Sequence, residues 1–122
     1  MRTELVGLTA EQFRQIIERL RSDVPSRGSI EKRNAPRVGM RTKLQIFANG
    51  DERYPLNAWL RDLSATGMGL VLSHALPRAC EFLVKFPLNG QESLAVYYSV
   101  RHCKELGKNL YFIGAKLDRI IE

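Results

Sequence analysis

Arg41-Thr42-Lys43-Leu44-Gln45-Ile46-Phe47-Ala48-Asn49-Gly50-Asp51 decides the fold class. Leu44, Ile46 and Ala48 alternate with Lys43 and Gln45, a period of two that turns one apolar face of an extended strand toward a core. Asn49-Gly50-Asp51 then supplies a turn, so a β-hairpin begins here. Toward the C-terminus the pattern repeats. Leu56, Ala58 and Leu60, and then Met68 to Leu72, read as strands, with Asp62 to Gly67 in the bend between them. Further strands are expected near Glu81 to Phe86, Leu94 to Cys103 and Leu110 to Leu117. Short strands separated by turn signals, with little helix among them, predict a mainly β domain: a small antiparallel barrel or sandwich.

Toward the N-terminus the period changes to that of a helix. Thr9 is placed as N-cap, Gln12 three residues on completes a capping box, and Leu8 is positioned to staple onto Phe13. The helix is expected to run to about Arg21. Phe13, Ile16, Ile17 and Leu20 form one apolar stripe, while Glu11, Arg14, Glu18 and Arg19 lie off it. That stripe has to be covered, either by the chain's own barrel or by a second copy or protein partner. Proline, glycine and serines in Ser22 to Ser29 then predict a flexible connection. The expected organisation is a helix and linker over residues 1–30, followed by a β-domain over 31–122.

Between linker and hairpin lies Lys32-Arg33-Asn34-Ala35-Pro36-Arg37, and about one hairpin later Asp62-Leu63-Ser64-Ala65-Thr66-Gly67. The first supplies guanidinium groups, which grip a phosphate or the O6/N7 edge of guanine through two parallel hydrogen bonds. Pro36 pushes Ala35 toward extended geometry, so Arg33 and Arg37 would lie roughly 13 Å apart at about 3.3 Å per residue and hold different parts of one dinucleotide. The second supplies a carboxylate that accepts from purine N–H groups, a hydroxyl, and a glycine that lets a ligand approach bare backbone. Together they read as a phosphate and guanine clamp.

At these residues the chain resembles the PilZ domain, a bacterial receptor for the second messenger cyclic di-GMP. The family pattern is RxxxR, a first strand, then (D/N)xSxxG. Arg33 and Arg37 with Asp62, Ser64 and Gly67 match it position by position, and Tyr111 to Leu117 is similar to the family's late strand. A DxSxxG is much the rarer half in this composition, since with 13 arginines about one RxxxR is expected by chance. A second RxxxR, Arg37 to Arg41, overlaps the first, and Arg41 then stands on the first strand as an accessory contact. The resemblance implies a six-stranded barrel, cyclic di-GMP as ligand with no other cofactor, and ligand contacts from Arg33, Arg37, Asp62, Ser64 and Gly67. Lys32, directly before the motif, and Trp59, close to it in sequence, are accessory candidates. Lys32 bears on whether one dinucleotide or a stacked pair binds. The resemblance also implies a signalling role, passed to a protein partner. Many members carry a longer helix after the late strand, over the barrel; here the N-terminal stripe is the candidate for that cover.

Charge is consistent with a compact anionic ligand. Of the net +6, Arg27 to Lys43 hold six basic residues against Glu31 alone, a local cluster rather than a spread face. No apolar run has the length of a membrane span and the first residues lack a signal-peptide core, which predicts a cytoplasmic protein. Cys80 and Cys103 form no CxxC and are expected as small core residues. His102 and Cys103, adjacent on a strand, point to opposite faces and are poorly placed to share a metal. Ser64 lies outside any GxSxG elbow and has no His/Asp pairing, so no catalysis is expected. Two other readings remain: a basic barrel binding single-stranded nucleic acid, with Trp59 and Tyr97-Tyr98 stacking on bases, or an interaction module of the same fold that binds no nucleotide.

Overall fold

A computed structural model describes residues 7–20, 37–88 and 93–121, and of Arg37 only the backbone. One helix, α1 (Ala10–Leu20), precedes six strands: β1 (Arg37–Ala48), β2 (Pro55–Ser64), β3 (Gly67–Leu72), β4 (Glu81–Pro87), β5 (Ser93–Gly107) and β6 (Leu110–Ile121). The strands close into an antiparallel barrel in the order β1-β2-β3-β6-β5-β4. This is the small six-stranded barrel with an N-terminal amphipathic helix that the sequence and its resemblance predicted. The closing seam is short: β1 and β4 pair only from Ile46 with Val84 to Ala48 with Phe82.

Alternation places the core. Ile46, Leu60, Leu70, Phe82, Val96, Tyr98 and Ile113 are fully buried inside the barrel, each removing apolar surface from water for about 1.5–3 kcal/mol. Tyr98 stacks on Phe82 at 5.7 Å between ring centroids and meets Phe86 edge-on at 6.2 Å. At the β1–β2 connection Asn49 and Gly50 take positive φ, 57° and 74°. Gly50 is needed there twice over, because a Cβ would also strike the Tyr97 ring.

Helix α1 begins as its sequence dictates. The Thr9 hydroxyl accepts from the Gln12 N–H at 3.0 Å, and the Gln12 side-chain oxygen accepts from the Thr9 N–H at 2.9 Å, a reciprocal capping box. Its stripe is used on the chain's own barrel: Ile16 is fully buried in the core, and Phe13, Ile17 and Leu20 pack against it. Both ends are tied. The Leu8 N–H donates to the Ala65 carbonyl at 2.8 Å, and the Thr42 hydroxyl donates to the Leu20 carbonyl at 3.2 Å. No helix among the described residues is long and apolar enough to cross a membrane. The expected linker, together with Lys32 and Arg33, lies outside the described residues.

Three expectations need correction. Asp62 to Gly67 is not one bend: Asp62, Leu63 and Ser64 finish β2, Gly67 starts β3, and only Ala65 and Thr66 turn. Leu63 keeps the ladder going because its side chain is fully buried and its backbone pairs with Val38. Strands β5 and β6 are longer than expected, β6 running on to Ile121 and β5 to Gly107, and from Arg101 to Leu110 every residue is exposed, so that the alternation that marks a half-buried strand disappears. For the same reason Cys103 is exposed rather than in the core, and Cys80 is only half-buried.

Candidate ligand-binding site

The DxSxxG motif builds its own turn. The buried Ser64 hydroxyl accepts from the Gly67 N–H at 3.1 Å and from the Thr66 N–H at 3.3 Å, while its O–H makes a long 3.5 Å contact to the Gly67 carbonyl. Gly67 is required by packing: a Cβ would sit 2.7 Å from the Ala115 carbonyl oxygen on β6. The Leu117 N–H, donating to the Thr66 carbonyl at 2.7 Å, fastens the turn to the same strand. Ser64 and Gly67 thus serve the geometry of the turn, and Asp62 is the member of the motif that faces the outer surface.

Register shows what surrounds it. Asp62 pairs with Gly39 on β1 and with Gly69 on β3, Gly69 pairs with Gly114 on β6, and Gly114 pairs with His102 on β5. Gly69 and Gly114, side by side in that row on the outside of the barrel, leave bare backbone as the floor of a trough, with Gly39 on the far side of Asp62. Side chains lean over it from both ends. A Cβ on Gly69 would lie 3.0 Å from Asp62 Oδ2 and 3.0 Å from the Phe112 ring, and one on Gly114 would lie 2.6 Å from His102 Nε2. The resulting cleft, about 250 Å³, runs from Asp62 to His102 and Arg101, with Phe112 as a wall.

The basic half reaches the same place through β1. Arg37 pairs with Ser64 across the β1–β2 ladder, so the last arginine of RxxxR enters the barrel beside the end of the second motif. Arg33 and Lys32 lie outside the described residues. Arg41 and Trp59 do not share the trough. They line a larger neighbouring cleft, about 620 Å³, with Met40, Leu60, Arg61 and Val71. Trp59 is 46% exposed on the outer face, with Lys43 Nζ 5.5 Å from its ring centroid, and the Arg61 guanidinium stands 5.6 Å from the Phe112 ring, between the two clefts.

Gly69, Gly114, Phe112, His102 and Arg61 were missed by sequence reasoning. One signal was available: Gly69, two residues after Gly67 within a strand, marks a close approach of other atoms to backbone. His102 and Cys103 do point apart, and no group of acidic, histidine or cysteine side chains among the described residues is placed to hold a metal ion. Tyr98, by contrast, has no part in the site. Its hydroxyl is sealed inside the barrel, where burial pushes the phenol well above its ordinary value.

A closed six-stranded barrel with a glycine-floored trough on its outside, a carboxylate at one end and an arginine motif entering beside it, defines a small-ligand binding domain. The sequence model of the PilZ domain matches residues 31–121, so the chain belongs to the PilZ domain family, whose members are binding and adaptor modules of the cyclic di-GMP type. Among curated proteins nothing matches.

Proposed function

We propose that this chain is a cyclic di-GMP receptor that passes the signal to a protein partner. The pairing of Arg37 with Ser64 carries the reading, because it sets the two halves of the family pattern against each other at one end of an open trough. Arg33 and Arg37 grip phosphate and the O6/N7 edge of guanine, and Asp62 accepts from guanine N–H groups. Ser64 and Gly67 act as positioning residues for that carboxylate and for the backbone beneath the ligand. Lys32 is an accessory cation for the same ligand, and Arg41, on the neighbouring cleft, adds positive charge at longer range. A bound anion neutralises the mutual repulsion of Lys32, Arg33, Arg37 and Arg41 and orders the residues ahead of β1 against the barrel, an ordering switch. Helix α1 is the output, being bonded to the turn through Leu8 and to β1 through Thr42. Its stripe, Phe13, Ile16, Ile17 and Leu20, becomes available to a partner or a second copy only when it leaves the barrel.

Calorimetric titration with cyclic di-GMP, GMP and a single-stranded oligonucleotide tests this, for the native chain and for Arg37→Ala. Saturable heat with the cyclic dinucleotide, lost in Arg37→Ala, is the expected outcome and gives the stoichiometry. Absence of heat with cyclic di-GMP at several temperatures would overturn it.

A further inference from the structure

Two residues along β3, β6 and β5 from the glycine row, three along β2 and four along β1, where the register shifts, runs a second outward row. Lys43 on β1 pairs with Trp59 on β2, Trp59 with Val71 on β3, Val71 with Phe112 on β6, and Phe112 with Lys104 on β5. Their chain neighbours Ala58, Leu60, Leu70 and Ile113 are buried, so alternation turns this row to solvent. It reads cation, aromatic, valine, aromatic, cation. Arg61 lies over Phe112 and Lys43 over Trp59, while Arg41 and Trp59 border the same large cleft. None of Arg41, Lys43, Arg61 and Lys104 forms an ion pair with a described acidic side chain.

The row curves around the barrel over five of its six strands and begins one strand beyond the trough, at Lys43 on β1. Followed around the barrel, four steps between strands cover a path of roughly 19 Å at about 4.8 Å each. That is about three nucleotides of a strand drawn out to twice the 3.4 Å rise it has in a duplex. Here Trp59 is an exposed ring and Phe112 a half-buried one, with separated cations between and beside them, the elements of a sequence-tolerant single-strand surface on which bases stack on rings and phosphates meet cations. A compact dinucleotide needs only a local cluster, which the arginine motif already supplies.

We infer that this face is a second binding site, one for single-stranded nucleic acid. Bases stack on Trp59 and Phe112, and Arg41, Lys43, Arg61 and Lys104 track the backbone. The inference goes beyond the receptor reading and stands without it. Asp62 belongs to the dinucleotide, and Trp59 to the strand.

Trp59 is the only tryptophan of the chain, so intrinsic fluorescence reports on the platform directly. The full chain is titrated at low salt with short oligouridine and oligothymidine, with a duplex of equal length and with cyclic di-GMP; anisotropy of labelled oligonucleotides follows the variants. The expected result is saturable quenching by both single strands, weaker binding of the duplex, and a negative dependence of log affinity on log salt. Arg61→Ala should make that slope shallower by about 0.7. Trp59→Ala should weaken binding at least about 5-fold, with Trp59→Phe in between and Asp62→Ala unchanged. The inference is overturned if neither single strand binds, if the duplex binds equally well, or if Trp59→Ala binds as the native chain does. It is also overturned if only cyclic di-GMP quenches Trp59. Oligonucleotide binding without any response to cyclic di-GMP would sink the receptor reading and leave this one standing.

Discussion

Leu8 and Ala65 are joined by a main-chain hydrogen bond of 2.8 Å, which ties the lead-in of α1 to the turn inside the Asp62–Gly67 motif. At the other end of the helix the Leu20 carbonyl accepts from Thr42, five residues after Arg37. The helix that closes the barrel is therefore fastened to both halves of the proposed clamp. Thr9 holds the first of these attachments in place, since its hydroxyl and the Gln12 side chain satisfy each other's backbone N–H groups.

Loss of that cap should loosen the helix without touching the barrel core. Thr9→Ala is expected to cost about 1 kcal/mol, the usual value for an N-cap, and Thr9→Ser to recover most of it. Urea denaturation of the purified variants measures both. A Thr9→Ala protein as stable as the native chain would mean that α1 contributes nothing to the cooperative unit.

How much of this was legible beforehand depends on what each residue advertises. The helix was, because Thr9, Gln12 and the Phe13-to-Leu20 stripe are local signals and act locally. The strands were, wherever one face is buried, as at Leu44 to Ala48. They were not from Arg101 to Leu110, where both faces are exposed and composition carries no period. The motif was legible as a string, but the packing inside it was not: only the β3–β6 register reveals that a side chain at Gly67 would meet the Ala115 carbonyl. The trough was invisible for the same reason. Asp62, Gly69, Gly114 and His102 come together only through three separate strand pairings.

The motif glycine Gly67 and the trough glycine Gly114 are not equivalent. A Cβ on Gly67 faces backbone oxygen at 2.7 Å, which cannot move without disturbing β6, whereas one on Gly114 faces the imidazole of His102, a side chain that can rotate outward from an exposed position. Gly67→Ala should therefore cost about 1–3 kcal/mol, as overpacking does, and Gly114→Ala distinctly less. Thermal melts compare them. Equal losses would show that the His102 ring is as fixed as the β6 backbone.

Ser64 and Asp62 should separate stability from binding. Ser64→Ala strips the Thr66 and Gly67 N–H groups of their acceptor in a buried turn, an expected loss of about 1–3 kcal/mol. Asp62→Asn keeps the shape of the side chain and removes its charge, so it should leave the melt close to native while weakening cyclic di-GMP at least about 10-fold. That weakening corresponds to the loss of one hydrogen bond to a charged acceptor. Denaturation and calorimetry on the same two variants decide it; a Ser64→Ala protein that binds poorly yet melts normally would return Ser64 to direct ligand contact.

Inside the barrel, Tyr98 buries a hydroxyl for which no described residue is a hydrogen-bond partner. A buried polar group without a partner is a net cost. Tyr98→Phe keeps the stack on Phe82 and the edge contact with Phe86 and removes the oxygen, so it is expected to be neutral or to stabilise by about 1 kcal/mol. A clear loss of stability on urea denaturation would indicate that the hydroxyl is satisfied.

The two thiols differ in a way that pH exposes. Cys103 stands exposed on the projecting end of β5, whereas Cys80 is half-buried, its Sγ 3.4 Å from the Glu81 carbonyl oxygen. Burial, and then the negative charge of Glu81, push the Cys80 thiol above its ordinary value. The thiolate is the nucleophile, and a raised value means less of it at any pH below the titration. Iodoacetamide should therefore modify Cys103 first at neutral pH, and Cys80 should catch up only as the solution is made alkaline. Peptide mapping by mass spectrometry across that pH range reads the order, and Cys80 reacting first at neutral pH would contradict the burial that separates the two sites.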